Sequence, residues 1–201
     1  TALDYSRFGA VRSVLGIGAR CGASVLHVRN SILRQHGVAP TVAAYEADPK
    51  YGVDLKTVCD EIFIGGTLKD FLAADRRQYD LVYLETPLGN DGITPDELFR
   101  GLAGLINPNG VLVCCVPNPG GVDRLLTLML GDAQQLDGTV NLSGAAVLRL
   151  GAENGLTNCA SFTLNRQVPE AYTQMIESFT STITTHFPEV KALNLNANMT
   201  P

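Results

Sequence analysis

The stretch VLGIGARCG, residues 14–22, joins an apolar run that predicts a strand to a segment with helical spacing. We expect the strand over residues 11–16 and the helix over residues 23–36. Glycine permits a tight turn and a close approach of backbone to a ligand, and the free N–H groups of the helix begin at the same place. A strand, a glycine-spaced turn and a helix open the nucleotide-binding units of α/β proteins. Because the spacing is G-x-G-x-x-x-G rather than G-x-G-x-x-G, a purely structural turn is the alternative.

Four further apolar runs follow this turn and alternate with helical segments. They predict strands over residues 40–44, 61–64, 79–84 and 111–116, and a candidate edge strand over residues 156–164. Strands that alternate with helices predict a doubly wound, mostly parallel, Rossmann-like α/β sheet with helices on both faces. We expect this domain to span residues 1–168, followed by a C-terminal helix and tail over residues 169–201.

Composition excludes several classes of protein. The 20 acidic residues outnumber the 15 basic ones and no basic run occurs, which argues against a nucleic-acid partner. No apolar run approaches the roughly 20 residues that a membrane span requires. The 5 cysteines are odd in number and include no C-x-x-C pair, so we expect a reduced, cytoplasmic setting and no metal.

The predicted topology gathers chemically useful residues at one edge of the sheet. Ligands of such sheets bind beyond the carboxyl ends of the strands, where the sequence places the glycine loop, Glu46, the turn at residues 65–66, Glu85 and Asn118. A carboxylate at the end of the second strand accepts hydrogen bonds from the ribose hydroxyls of adenosine cofactors. The alternative for Glu46 is a solvated strand end.

Four stretches in order resemble the class I S-adenosylmethionine-dependent methyltransferases, from about residue 5 to residue 164. VLGIGARCG resembles the family pattern V-L-D-x-G-C-G-x-G, and VAAYEADP (42–49) resembles its acidic motif after the second strand. YDLVYLETPL (79–88) resembles F-D-x-V-x-x-x-x-x-L, and LINPNGVLVCCVPN (105–118) resembles L-x-P-G-G-x-L-x-x-x-V-P-N. The likeness is to a small bacterial methyltransferase-domain group with a degenerate first motif. It implies S-adenosyl-L-methionine as cofactor and a small molecule or glycan as methyl acceptor.

The chain also departs from this pattern. Gly16 stands where the family has an acid, Arg20 stands where it has a glycine, and the acid of the fourth-strand motif has Glu85 as its nearest counterpart. An arginine at position 20 must adopt an unfavourable φ or reshape the turn, with its side chain either on the cofactor carboxylate or in the cofactor site. The resemblance implies these cofactor-binding residues: Gly16, Gly18, Arg20, Gly22, Glu46, Gly66 and Glu85.

No catalytic base stands out. By position the candidates are Glu85, Asn118 and Tyr5, each with a structural role as the alternative, whereas the histidines lie on predicted helices. The regions that select the acceptor in this family are short here, so we expect a partner domain or subunit to complete the site. Two other functions stay open. One is a methyltransferase-like interaction or assembly module without cofactor; the other is an NAD-dependent oxidoreductase or epimerase, which the absence of a Tyr-x-x-x-Lys pair disfavours.

Overall fold

The computed structural model describes residues 9–85, 92–114 and 144–160, together with individual positions between 174 and 186. The chain divides into two compact units. The first unit, Thr1–Pro117 with Gly138–Ala160, contains the sheet. In the second unit, Asn118–Asp137 with Ser161–Pro201, the described positions are helical and exposed. The boundary expected at residue 168 stays a prediction.

A five-stranded sheet organises the first unit. All described pairings are parallel, and the spatial order is β3-β2-β1-β4-β5, which confirms the predicted fold class. The central strand β1 lies between β2 and β4, so the switch in strand order falls beside it. The strand bounds are β1 Ser13–Ile17, β2 Thr41–Glu46, β3 Glu61–Ile64, β4 Tyr79–Leu84 and β5 Ile106–Cys114.

Helices cover both faces of this sheet. They are α1 Ala23–His36, α2 Gly52–Val58, α3 Leu68–Ala74, α4 Pro95–Gly104 and α5 Gly144–Glu153, with a short 3-10 turn at Pro49–Tyr51. Alternate residues of β1 point to opposite faces, so Leu15 joins a core with α3, α4 and α5 while Val14 joins a second core with α1 and α2. Two separate apolar cores are the arrangement that a doubly wound sheet requires.

Helix starts and stops follow local sequence signals. Thr94 and Glu97 form a reciprocal capping box at the start of α4, with Pro95 in the first turn. Gly37 ends α1 with a φ of 74° and donates its N–H to the carbonyl of Leu33. These interactions use neighbouring residues only, which is why α1 agrees with the helix predicted over residues 23–36.

The predicted strand ends need correction where neighbouring strands decide them. Strands β1 and β2 continue to Ile17 and Glu46, beyond the expected residues 16 and 44, because Ile17 pairs with both Tyr45 and Leu84. The segment NPNG, residues 107–110, has the composition of a turn but lies inside β5, as a bulge opposite β4 with Asn109 at a φ of 69°. Strand β5 therefore begins five residues earlier than the expected start at residue 111.

The expected edge strand is wrong over residues 156–160, which form no strand. Leu156 donates its N–H to the carbonyl of Gly151, and Gly155 has a φ of 84°, so this segment closes the end of α5. Residues 161–164 lie outside the described residues. So do residues 122–130, whose apolar sequence VDRLLTLML predicts a helix.

Asp80 at the start of β4 fixes the register of three strands. One carboxylate oxygen accepts hydrogen bonds from the backbone N–H groups of Arg12 and Ser13, at 2.8 and 3.0 Å, and from the Ser13 hydroxyl. The other oxygen accepts from the Asn107 side-chain amide at 2.8 Å, which holds the bulge of β5. Burial by itself raises the pKa of Asp80, but these hydrogen bonds outweigh it and the pKa is lowered. This polar cluster is therefore explained by folding.

Candidate functional site

The carboxyl ends of β1, β2 and β4 meet at one edge of the sheet. Gly18, directly after β1, donates its N–H to the Tyr45 carbonyl of β2 at 2.9 Å. Glu85, directly after β4, donates its N–H to the Ile17 carbonyl of β1 at 2.9 Å. The glycine loop is thus connected on one side to β2 and on the other to the residue that ends β4. This is the edge at which parallel α/β sheets bind ligands.

Three residues of the loop have positive φ angles. Gly18 has a φ of 73°, Arg20 of 47° and Gly22 of 80°. Arg20 takes the first of its two expected alternatives, because it adopts a conformation that non-glycine residues rarely occupy. A contact with β2 holds it there: its backbone N–H donates to Glu46 Oε2 at 2.7 Å. The Arg20 side chain is exposed.

Glu46 is the buried carboxylate of this edge. Its exposed fraction is 6%, and both oxygens are engaged: Oε2 accepts from the Arg20 N–H and Oε1 accepts from the Asp48 N–H at 3.0 Å. Hydrogen bonds to an ionised acceptor are shorter and stronger than neutral ones. Sequence reasoning missed this role, in which Glu46 fixes the shape of the glycine loop from across the edge. A carboxylate offers about four acceptor positions, so two are left for a ligand.

Close packing explains why two of the predicted site residues are glycines. A Cβ atom on Gly16 would lie 2.6 Å from Cγ2 of Val25, which belongs to α1. A Cβ atom on Gly22 would lie 2.5 Å from Cγ2 of Val58, which belongs to α2. Both distances are far below normal contact, so Gly16 and Gly22 allow α1 to approach β1 and α2 closely. Val25 fills the space that a side chain at position 16 would need.

The glycines after β3 border open space instead. Gly65 and Gly66 have φ angles of 82° and 74°, and no atom lies within 4 Å of a Cβ built on either residue. The Tyr45 hydroxyl donates to the Gly66 carbonyl at 3.0 Å, and the Gly65 N–H donates to the Glu46 carbonyl at 2.9 Å. The turn is therefore held beside Glu46 while its outer side is unobstructed.

Glu85 has a raised pKa and an unpartnered side-chain oxygen at this edge. Its Oε1 atom is buried and has no hydrogen-bond partner among the described residues. Burial raises the pKa of Glu85, and the negative charge of Glu46 acts in the same direction. A hydrogen bond from the Ser24 side chain and the positive charge of Arg20 act in the opposite direction. An unsatisfied buried acceptor costs about 1–3 kcal/mol, so this oxygen is suited to receive a donor.

Tyr5 and Asn118 are outside the described residues. A cleft of about 360 Å³ between α3 and α4 is lined by none of the predicted site residues. Within the described parts of the chain, no group of three or more His, Cys, Asp or Glu side chains is arranged to hold a metal ion. No helix in those same parts is both long and apolar enough to cross a membrane.

Comparison with known proteins defines the fold. No protein-family model and no curated protein sequence matches the chain. Among solved structures, a putative sarcosine dimethylglycine methyltransferase from Galdieria sulphuraria matches with a TM-score of 0.53 and 16% identity, over 93% of this chain and 70% of that one. A chain from the complex of the Haloferax volcanii Trm112 methyltransferase activator and a putative methyltransferase matches with a TM-score of 0.58 and 15% identity, over 83% and 72%.

A third match is the apo form of the S-adenosylmethionine-dependent methyltransferase SibL, with a TM-score of 0.53 and 15% identity. It covers 81% of this chain, which spans about half the length of SibL (49%). Together with the parallel sheet and its strand order, these matches show the Rossmann-like α/β fold of the class I methyltransferases. Fold alone does not fix function, which depends on the site.

Proposed function

We propose that the chain is an S-adenosyl-L-methionine-dependent methyltransferase that acts on a small molecule or glycan. The observation that carries this proposal is the meeting of the glycine loop, Glu46 and Glu85 at the carboxyl ends of β1, β2 and β4. The methyltransferase fold of the solved neighbours supports it.

The residues of this edge fit an adenosine cofactor. Glu46 has two free acceptor positions for the ribose hydroxyls, provided that it also keeps its bonds to the loop. The open side of Gly65 and Gly66 has room for a base, and the unpartnered oxygen of Glu85 offers an acceptor for a donor group. Arg20 is exposed and places a positive charge near Glu85.

The chemistry demanded of the chain is mainly alignment. The cofactor supplies an already activated methyl group, so the protein must hold the acceptor in line with it. Glu85 stays a prediction as the residue that accepts a proton from the acceptor. Tyr5 and Asn118 stay predictions as catalytic residues. A partner domain or subunit that completes the acceptor site is part of the same proposal.

Calorimetry with S-adenosylhomocysteine tests the cofactor. We expect saturable binding to the wild-type chain and none of comparable strength with NAD. Glu46→Ala should abolish binding, since it removes both the ribose acceptor and the support of the loop. Glu61→Gln is the matched control, because Glu61 is an exposed acid at the opposite end of a strand in the same sheet.

Cysteine labelling locates the bound cofactor. Cys21 lies in the glycine loop and Cys159 follows α5, and both are exposed free thiols. Iodoacetamide modification, followed residue by residue by mass spectrometry, should slow at Cys21 when S-adenosylhomocysteine is present and stay constant at Cys159. Absence of both binding and protection would overturn the proposed function and leave a module with this fold but without the cofactor.

A further inference from the structure

The cleft between α3 and α4 lies on one face of the sheet and has a volume of about 360 Å³. The two helices meet closely at Leu72 and Gly101, where a Cβ atom built on Gly101 would lie 2.9 Å from Leu72 Cδ1. At Gly104, about one turn further along α4, no atom lies within 4 Å of a built Cβ. The cleft is therefore open beside the end of α4, where a ligand can enter.

This open end of the cleft lies opposite the edge that gathers the glycine loop. Helices α3 and α4 begin at the carboxyl ends of β3 and β4 and run back towards the amino ends of the strands. At that far end the Tyr79 N–H of β4 donates to the carbonyl of Leu105, directly after α4, at 2.8 Å. Leu105 and Gly104 both line the cleft. A ligand held there would not compete with one at the glycine loop.

The floor of the cleft is apolar. Leu72 and Leu105 have exposed fractions of 8% and 2%, and both belong to the core that packs between the sheet and these helices. Ala73 and the partly buried Ile93 continue this surface. Ligand pockets in proteins have volumes of about 300–1,000 Å³ and mainly apolar walls. At about 360 Å³ the cleft suits a small molecule with an apolar body.

Two acids line the cleft, and both already accept hydrogen bonds from cations of the chain. Asp75 accepts from Arg77 Nε at 2.9 Å and from the Tyr79 hydroxyl at 3.1 Å. Glu97 of α4 accepts from Lys69 of α3 at 3.2 Å. Because these partners balance the two carboxylates, neither of them favours a cationic ligand in the cleft.

Two arginines that line the cleft are available to a ligand. Arg76 follows α3, is exposed, and makes no hydrogen bond or ion pair with any residue that the structure describes. Arg100 pairs with Asp96 one turn earlier on α4, and the two side chains are 70% and 50% exposed. Such an exposed pair is weak, so Arg100 can exchange Asp96 for a ligand. A guanidinium presents its N–H groups in a planar fork that matches a carboxylate or a phosphate.

We propose that the cleft between α3 and α4 binds a small amphipathic anion. The apolar body of the ligand lies on Leu72 and Leu105, and its carboxylate or phosphate group accepts hydrogen bonds from Arg76 and Arg100. The site is independent of the proposed methyl transfer, since it shares no residue with the glycine-loop edge.

Fluorescence titration with 8-anilinonaphthalene-1-sulfonate tests the site, because this aromatic anion emits more strongly in apolar surroundings. We expect saturable binding that 4-phenylbutyrate or phenyl phosphate displaces and 4-phenylbutylamine does not. Gly104→Leu should abolish this binding, because the new side chain enters the open part of the cleft without meeting another atom at its Cβ. Arg76→Gln should weaken it about 10-fold through the loss of a charged hydrogen bond.

Arg34→Gln is the matched control and should leave binding unchanged. Arg34 is an exposed arginine on α1, whose buried residues pack on the other face of the sheet. Circular dichroism checks that the variants are folded. If Gly104→Leu is unfolded, Arg76→Gln at its exposed position decides the test together with the control.

Four results would overturn the assignment. The first is the absence of saturable binding, and the second is equal binding by the wild-type chain and folded Gly104→Leu. The third is equal weakening by Arg76→Gln and Arg34→Gln, which would indicate general ionic attraction. The fourth is displacement of the dye by 4-phenylbutylamine as effectively as by the two anions, or by S-adenosylhomocysteine, which would locate the dye at the glycine loop.

Discussion

Gly22 provides a direct test of whether packing, rather than ligand approach, requires the last glycine of the loop. Its φ is 80°, and an added Cβ would lie 2.5 Å from Val58 Cγ2 and 3.2 Å from Leu55 Cδ2. Gly37 at the other end of α1 has a similar φ of 74°, but no atom lies within 4 Å of its built Cβ. The pair Gly22→Ala and Gly37→Ala therefore shares the backbone cost and differs in steric overlap.

The expected magnitudes follow from these two effects. A left-handed conformation costs an alanine about 1–2 kcal/mol, which applies to both variants. Overpacking in a close-packed interior adds about 1–3 kcal/mol, which applies to Gly22→Ala alone. We therefore expect the free energy of unfolding to fall by about 1–3 kcal/mol more in Gly22→Ala than in Gly37→Ala.

Urea unfolding monitored by circular dichroism measures this difference. The double variant Gly22→Ala/Val58→Ala should recover part of the loss, because it removes the methyl group that the new Cβ meets. Val58 is only partly buried, so its truncation alone should cost less than that of a core valine. Equal destabilisation by the two single variants, or no recovery in the double variant, would refute the packing argument.

Three further predictions concern side chains with defined partners. Glu46→Gln should lower the free energy of unfolding in urea by about 1–3 kcal/mol, because an amide cannot accept from both backbone N–H groups; an unchanged midpoint would contradict the geometry. Hydrogen bonds from Thr94 and Lys69 lower the pKa of Glu97 from 4.5 to about 2. As the pH falls, Glu97 is therefore protonated in the unfolded chain before it is protonated in the folded chain, and the free energy of unfolding should decrease between about pH 4.5 and pH 2. Glu97→Gln should flatten this acid limb of a pH titration, and a slope equal to that of the wild type would exclude the contribution. Burial raises the pKa of the Cys59 thiol to about 11, so iodoacetamide at pH 8 should modify it much more slowly than the exposed Cys21, and similar rates would be inconsistent with that environment.

Sequence reasoning worked best where one segment determines its own structure. The bounds of β3, β4 and α1 agree with the prediction. It was less accurate where another strand decides the outcome. The NPNG segment has a turn composition, yet pairing with β4 and the bond from Asn107 to Asp80 keep it within β5.

The candidate site shows the same division. That the glycine loop and Glu46 meet at one edge of the sheet was predictable, because their places in the chain follow from the order of strands and helices. The role of each residue was not. Gly16 is a packing position because Val25 fills its neighbourhood, and the loop at Arg20 is fixed by Glu46, 26 residues away in the chain.

By itself the sequence determined the alternation of strands and helices, and through it a parallel sheet whose carboxyl ends gather the glycine loop, Glu46 and Glu85. Periodicity, helix caps and glycine turns are local properties, so they can be recognised without knowing what lies opposite. Only the tertiary structure decided that Glu46 accepts hydrogen bonds from two backbone N–H groups. It also decided that Glu85 Oε1 has no hydrogen-bond partner among the described residues. The number of hydrogen bonds that a carboxylate makes depends on donors from other helices, strands and loops. These donors cannot be predicted from residue spacing along the chain.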